Sequence, residues 1–526
     1  MSKSVTFSKE DIEQIKARGI TLEQVISQIE VFKRGFPFVR LNRPCTVGDG
    51  IFVVDGGDIE RLVSLYMSEA LKGRAMKFVP ASGAASRMFE LLVSFYNRYE
   101  EIDEDTISAR AKEGDIEHIR FLEFIKGIKK FAFYNDLRAV MLRDGIQLEE
   151  LIAKGNYKLV LEYILTPKGL NYANLPKGLI KFHCYGDHCR TAFEEHLVEA
   201  ANYVRDKSNT ARIHFTVPVE HLETIKDFLE EVRGFYEEKE GVRYEIGFSI
   251  QNPSTDTIAV DLDNRPFRDK DGRLVFRPGG HGALLENLNR LKGDIVFIKN
   301  IDNVAPDWLK PQTYLYKKVL GGYLVELQKA IFGYLERLMS GDVTDALINE
   351  MFEFARSRLC IVPPDVMEKG LREEKIRFLL SKFNRPLRVC GMVRNQGEPG
   401  GGPFWVEDEN GELSLQIVES SQVDFSSSVQ RSIWESSTHF NPVDIVCGVR
   451  DYMGNPFDLT RFVNPNTGFI SIKSKDGVRI KALELPGLWN GSMAYWNTVF
   501  VEVPLTTFSP VKTVLDLLRR EHQPEE

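Results

Sequence analysis

A chain of 526 residues is too long for one ordinary domain and predicts roughly three structural units. Hydrophobic residues at 43% and charged residues at 27% are a globular composition, which excludes a disordered chain. A net charge of -8 excludes a whole-protein electrostatic case for nucleic-acid binding, while a local basic pocket for phosphates stays compatible with it. The six cysteines, Cys45, Cys184, Cys189, Cys360, Cys390 and Cys447, are widely and irregularly spaced, so reduced, buried thiols of a cytoplasmic protein are expected. The polar start MSKSVTFSKEDIEQIKARG lacks the apolar stretch of a signal peptide, and no run approaches the ~18 apolar residues of a membrane span, so no membrane partner is expected.

Residues 1–75 read as helical. Ser8 caps KEDIEQIKARG with acidic residues in the first turn, Thr21 caps LEQVISQIEVFKRG, and DIERLVSLYMSEALKG forms a third amphipathic segment. Residues 76–310 read as an α/β core. Its first strand, Met76 to Val79, runs into the small-residue turn PASGAAS and then the apolar helix RMFELLVSFYNRY. A charged helical insertion occupies 95–172, after which Arg212 to Val217, RYEIGFSIQ and DIVFIK read as strands around the helix HLETIKDFLEEVRGFYEEK. Strands alternating with helices predict a mostly parallel, doubly wound sheet. Residues 311–383 are helical again, and 384–526 are β-rich with Gly-rich turns and a closing helix, VKTVLDLLRREH.

Four segments carry the residue types of an anion site. In Pro80-Ala81-Ser82-Gly83-Ala84-Ala85-Ser86-Arg87-Met88, small side chains let a ligand approach the backbone, a following helix favours a phosphate, and Arg87 adds a forked donor. The plain alternative is a tight strand–helix turn. Lys177 is held between Pro176 and Gly178, where a surface charge is the ordinary reading. Arg277-Pro278-Gly279-Gly280-His281-Gly282 allows close approach to a planar ligand, or is a flexible loop entering a helix. Asp302, in Asn300-Ile301-Asp302-Asn303, follows the DIVFIK strand, where doubly wound sheets bind ligands; it suits Mg²⁺ or merely caps a turn.

In this order the segments resemble the UDP-sugar pyrophosphorylase branch of the GT-A-like nucleotidyltransferases. PASGAASRM resembles that family's Gly-Gly-x-Gly-Thr-Arg-Leu/Met loop, with Ser82 and Ala85 in place of glycines. Lys177 resembles its Pro-Lys lysine and Gln251 its base-reading glutamine, while RPGGHG resembles the element beneath the base and NIDN the metal motif. Gln416 to Ser421 resembles a degraded Val-Glu-Tyr-Ser-Glu sugar motif, and Phe508-Ser509-Pro510-Val511-Lys512 matches Phe-Ser-Pro-Val-Lys. The resemblance spans roughly 76–90 and 174–515. The chain also resembles a bacterial family known only as domain of unknown function 4301.

The resemblance implies a GT-A/Rossmann-like doubly wound mixed sheet, with the nucleotide on the core and the sugar on the β-rich part. It implies transfer of a nucleotidyl group from a nucleoside triphosphate, UTP by preference, to a sugar 1-phosphate, with Mg²⁺ on Asp302. Arg87, Lys177 and Lys512 would act on phosphates. Ser82, Gly83, Ala84, Ser86, Gln251, Gly279, Gly280 and His281 would bind the nucleotide, and Glu419 and Asn490 the sugar. Trp489 and Trp496 are candidate sugar walls or core residues. The rival reading is a catalytically inactive nucleotide- or sugar-nucleotide-binding protein on the same scaffold. Zinc at His183, Cys184, Asp187, His188 and Cys189, and an Asp-x-Asp metal motif at Asp261 and Asp263, are the lesser alternatives.

Overall fold

The computed structural model describes residues 6–83, 85–186, 188–364, 367, 370–397, 400–475 and 477–525. The chain divides into two units: Met1–Met76, Ser249–Ile298 and Lys317–Val503 form the larger, and Lys77–Phe248, Lys299–Tyr316 and Pro504–Glu526 the smaller.

The larger unit begins with the helices Lys9–Ala17 and Leu22–Arg34. Ser8 and Thr21 cap them as expected, each in a reciprocal capping box, with Asp11 and Gln24 reaching back. Their buried stripe, Ile15, Val25, Ile29 and Phe32, packs on Ile258, Val260, Leu274 and Leu483. The unit's main strands run in the order Thr46–Val47, Gly50–Phe52, Asn497–Glu502, Leu387–Arg394, His439–Gly448 and Ile295–Ile298. All ten residues of His439–Gly448 are buried, and the strand is antiparallel to both its neighbours. The strands Leu387–Arg394 and Asn497–Glu502 are parallel. The sheet is therefore mixed rather than mostly parallel, because one long apolar strand returns through its middle. A three-stranded antiparallel sheet of Arg40–Pro44, Gly402–Glu407 and Leu413–Val418, and the hairpin Phe469–Lys475 with Val478–Glu484, supply the β-rich part.

In the smaller unit Ala75–Pro80 pairs in parallel with Thr210–Thr216, and Arg243–Ser249 follows in the sheet order. The helix Ala192–Tyr203, capped by Thr191 and Glu194, is buried on nearly every side. Helical segments Glu104–Lys112, Ile116–Gly127, Tyr134–Arg143, Leu148–Ala153 and Tyr157–Leu165 fill the insertion. The whole is the expected α/β, Rossmann-like, doubly wound fold with helical additions. No helix among the described residues is long and apolar enough to cross a membrane.

Four further expectations are corrected. Residues 40–52, expected to lie in a helical region, instead form the strands Arg40–Pro44, Thr46–Val47 and Gly50–Phe52. The helix expected from Arg87 begins only at Glu90, after a 3-10 turn at Ala85–Arg87, because the Ala85 amide is drawn to the Leu175 carbonyl at 3.1 Å. The closing helix is two 3-10 turns, Val514–Leu518 and Arg520–His522. Its apolar anchors Val514 and Leu517 are three apart, the spacing that a 3-10 turn stacks, and Leu518 lies against Gly127. Finally, Cys184 and Cys189 are disulfide-bonded rather than reduced, since the hairpin Lys181–Cys184 with Cys189–Thr191 sets them directly opposite one another.

Candidate functional site

In the smaller unit, backbone hydrogen bonds stitch four segments together. The Lys177 amide donates to Gly83 O at 3.1 Å, the Ile301 amide to Pro80 O at 3.3 Å, the Val511 amide to Asp302 O at 2.9 Å and the Val514 amide to Met88 O at 3.0 Å. The Ser509 amide donates to the Asn303 side chain at 3.0 Å. Residues far apart in sequence thereby meet. Lys177 Nζ lies 3.0 Å from Asp302 Oδ2 and 2.9 Å from the Val511 carbonyl, and Lys512 Nζ lies 3.3 and 3.2 Å from the two Asp302 oxygens.

The chain's local chemistry explains how each lysine is held. Gly178 lets Lys177 turn inward: a Cβ there would come within 2.4 Å of the Phe193 ring. The Asp516 carboxylate accepts the Lys512 and Thr513 amides at 2.8 and 2.7 Å and so fixes the segment bearing Lys512. Sequence reasoning missed Asp516, although Thr513-x-x-Asp516 is a readable capping box. Lys177 is buried while Lys512 is half-exposed. Burial pulls the Lys177 pKa below the ordinary lysine value, with Asp302 opposing. Burial raises that of Asp302, but Lys512 and Lys177 outweigh it and hold the carboxyl below its usual range. Two ammonium groups on one carboxylate leave an excess of positive charge, which suits phosphate oxygens.

The loop residues are placed differently. Ser82, Gly83, Ser86 and Arg87 are exposed, and Ala84 lies outside the described residues. Ala85 is fully buried, so its Cβ is turned into the core and does not crowd the exposed face of the loop. A Cβ at Gly83 would meet nothing within 4 Å, so sterics alone do not demand a glycine there.

The larger unit gathers the other candidates. Asn287 Nδ2 donates to Ser249 Oγ and to Ile250 O, both at 2.8 Å, which fixes the chain entering Gln251. Gln251 Nε2 is buried with no hydrogen-bond partner, a costly state that a ligand carbonyl would relieve. Gly279 accepts the Leu485 amide at 2.9 Å, and Gly280 has φ +74. The loop sets His281 beside Trp489, ring centroids 4.4 Å apart. The Leu488 amide donates to His281 Nδ1 at 3.2 Å, and burial keeps the ring's pKa below its usual value against Glu419 and Glu484. The ring is therefore neutral, with its proton on Nε2. That nitrogen faces Glu419 Oε1 across 3.8 Å, too far for a direct hydrogen bond. Asn490 donates to Ile417 O at 2.9 Å, while its buried Oδ1 lacks a partner. Trp489 is half-buried in this cluster, whereas Trp496 is buried.

The family model for Domain of unknown function (DUF4301) matches residues 8–523. The chain belongs to the DUF4301 family. No curated protein matches it. Among solved structures this DUF4301 chain is similar to the uridine diphosphate N-acetylglucosamine pyrophosphorylase from Trypanosoma brucei, at 12% identity and TM-score 0.50, covering 97% of this chain and 79% of that one. It is also similar to UDP-glucose pyrophosphorylase from Leishmania major, at 11% identity and TM-score 0.45, covering 98% and 79%. The likeness is one of fold.

Other sequence candidates resolve as structure. Cys184 and Cys189 bond each other, which removes both thiolates from metal ligation, and Asp187 lies outside the described residues. His183 instead meets Glu195 and His522, each at 2.9 Å. Asp261 Oδ1 accepts the Asp263 and Arg265 amides, forming a surface turn. Among the described residues there is no group of three His, Cys, Asp or Glu side chains of the kind that holds a metal unaided. Asp302 fits Mg²⁺ only as one carboxylate sharing an ion whose other ligands come from a triphosphate and water, the usual arrangement for this cation.

Gly282 is the loop's least replaceable residue, since a Cβ would lie 2.1 Å from the Pro486 carbonyl oxygen. Gly282→Ala is expected to destabilise the protein by about 1–3 kcal/mol, the ordinary cost of overpacking. A denaturant midpoint equal to that of the parent would show that the contact is not a constraint.

Proposed function

We propose that this DUF4301 protein is a sugar-1-phosphate nucleotidyltransferase that forms a nucleotide sugar, with uridine as the base. The observation that carries the proposal is the Lys177–Asp302–Lys512 cluster, two ammonium groups held on one buried carboxylate. In the reaction, a phosphate oxygen of the sugar 1-phosphate bonds to the α-phosphorus of the triphosphate. The bond from that phosphorus to the bridging oxygen breaks, and pyrophosphate leaves with the electron pair. Such chemistry asks the protein for positioning and charge stabilisation rather than for a nucleophile. Lys177, rigid and buried, neutralises charge at the reacting phosphate. Lys512 and Arg87, more exposed, gather the triphosphate. Mg²⁺ is the proposed cofactor: Asp302 would hold it, and it would supply further neutralisation of phosphate oxygens.

Ser82, Gly83, Ala84 and Ser86 offer the loop against which the phosphates lie. Gln251, with its unsatisfied amide donor, reads a base carbonyl, and Gly279, Gly280 and His281 form the floor beneath the base. Glu419 and the unsatisfied Asn490 oxygen accept sugar hydroxyls. The fold neighbour at TM-score 0.50 is by name a uridine diphosphate N-acetylglucosamine pyrophosphorylase, which supports the reaction class and the choice of uridine. A nucleoside triphosphate substrate agrees with a cytoplasmic home. One observation favours the rival reading of an inactive nucleotide-binding protein: both Asp302 oxygens already accept from lysines.

Pyrophosphate release with Mg²⁺, crossing four nucleoside triphosphates with a panel of sugar 1-phosphates, separates the two. Release is expected only when both substrates are present, to be greatest with UTP, and to vanish in Asp302→Ala. Saturable binding of a uridine nucleotide without release from any pair would favour the inactive protein. Neither binding nor release would overturn both.

A further inference from the structure

The Cys184–Cys189 disulfide stands beside four cysteines that are free. Cys45, Cys390 and Cys447 are buried, and burial pushes each thiol above the ordinary cysteine value, which makes them inert. Half-buried Cys360 is pushed up to about 11. The bonded pair is placed differently. Cys184 and Cys189 are half-buried and Gly186, between them, is exposed, so a partner thiol can reach the bond. Where other thiols stay reduced, a disulfide is usually transient, catalytic or redox-sensing.

The bond is also a weak staple. Its two cysteines are five apart, so the loop it closes is short and little chain entropy is removed. The strands are held without it: the Tyr185 amide donates to His188 O at 2.8 Å, and the register pairs Lys181 with Thr191. A released thiol has an acceptor in reach, since Cys184 Sγ lies 3.6 Å from the Ala132 carbonyl oxygen, which a disulfide sulfur cannot use.

What the bond does fix is the aim of its neighbours. His183 and Tyr185 flank Cys184, and Arg190 follows Cys189; all three converge on the buried Glu195 carboxylate, at 2.9, 2.7 and 3.3 Å. The other His183 nitrogen meets His522 Nδ1 at 2.9 Å. His522 lies in the closing segment, where its neighbour Gln523 donates to Leu517 O at 2.5 Å and Asp516 holds the Lys512 and Thr513 amides. Within the smaller unit, a continuous chain of contacts therefore runs from the disulfide to the segment bearing Lys512.

We propose that Cys184–Cys189 is a redox modification site, opened and closed by thiol–disulfide exchange with a dithiol, and that opening it loosens the segment bearing Lys512. A thiolate of the dithiol attacks one sulfur, the Cys184–Cys189 bond breaks, and the other cysteine leaves as a thiolate that takes up a proton. The second thiol of the dithiol, losing its proton, then attacks the dithiol sulfur of the mixed disulfide and releases the first cysteine. Two electrons pass to the protein and the dithiol leaves as a disulfide; oxidation is the reverse. The site does not depend on the transferase reading.

The test equilibrates the full chain with graded ratios of reduced to oxidised dithiothreitol. Free thiols are trapped by alkylation and located by mass spectrometry, and amide hydrogen exchange is followed at both ends of the titration. Cys184 and Cys189 are expected to become labelled together, in one two-electron step, with an unchanged circular-dichroism spectrum and with Cys390 and Cys447 unlabelled. In the reduced protein the Lys512 and Thr513 amides are expected to exchange several-fold faster than in the oxidised one. A double variant, Cys184→Ser with Cys189→Ser, should match the reduced protein and ignore the dithiol. The titration itself needs no variant, so it decides even where the double variant fails to fold. Labelling of the pair only after denaturation, or thiols that never pair at the oxidised end, would overturn the site. Equal exchange at Lys512 and Thr513 in both states would overturn the link to the lysine.

Discussion

Lys177→Met is expected to slow pyrophosphate release by about 10²–10³-fold, with most of the loss in kcat. The reason is the position of the ammonium group. It is buried, bonded to Asp302 at 3.0 Å and to the Val511 carbonyl at 2.9 Å, and cannot follow a moving ligand as a surface lysine would. A donor fixed before the reaction stabilises developing charge without reorganising. Methionine keeps the stem and removes only the charge. Lys177→Arg is expected to rescue little, because a planar fork does not fit a pocket shaped for a single ammonium point. Lys512→Ala is expected to act mainly on KM, since its half-exposed side chain gathers substrate rather than holding one geometry. The alkaline limb of the kcat profile follows with a definite sign. Burial lowers the Lys177 pKa, so activity should fall before the ordinary lysine range is reached. Steady-state kinetics of the three variants, each checked for an unchanged circular-dichroism spectrum, measure this. Parental turnover in Lys177→Met would remove the lysine from the chemistry.

The part of this arrangement that could be read in the sequence was set by local rules. Ser8 and Thr21 announce their helices because a side-chain oxygen satisfies amides three residues on, a relation confined to adjacent sequence. Asp302 could be placed at a strand end because DIVFIK is short, apolar and followed by turn residues. The pairing of Lys177 and Lys512 on Asp302 was not legible, since it depends on side-chain contacts closed over more than a hundred residues. Residue type named the candidates, and tertiary stitching brought these three together. The closing segment shows the opposite failure. VKTVLDLLRREH has good helix formers, but the Thr513–Asp516 box and the anchors Val514 and Leu517 select 3-10 turns. The disulfide was missed because irregular cysteine spacing hides a hairpin register that faces Cys184 with Cys189. Ala85 departs from the resembled motif without obstructing the loop face, a distinction that only burial reveals.

Removing the Glu199 carboxylate is expected to cost about 3–5 kcal/mol of stability, a large share of what a folded unit possesses. Glu199 accepts from Lys77 at 2.8 Å and from Lys299 at 2.7 Å, and all three side chains are almost wholly buried. Lys77 sits in the strand leading to the small-residue loop, and Lys299 stands three residues before Asp302. One carboxylate thus ties together the two chain segments that deliver the phosphate-site residues. His196, from the same helix as Glu199, meets the Ile301 carbonyl at 3.2 Å and braces the second segment. The signal was present in the sequence as a lysine inside an apolar strand, but its partner lies more than a hundred residues away. Burial raises the Glu199 pKa, yet Lys299 and Lys77 outweigh it and leave the carboxyl well below its ordinary value. Its contribution is therefore complete above the unfolded value of 4.5 and is lost only as pH falls below it towards the depressed folded value. Thermal or urea unfolding of Glu199→Gln at neutral pH measures the cost. The discriminating variant replaces Lys77, Glu199 and Lys299 together with methionine. If the cost of Glu199→Gln comes from stranding two buried ammonium groups, the triple variant should recover most of the lost stability. A triple variant as unstable as the single one would show that shape, not charge pairing, holds these segments; full stability in Glu199→Gln would show that the carboxylate holds neither.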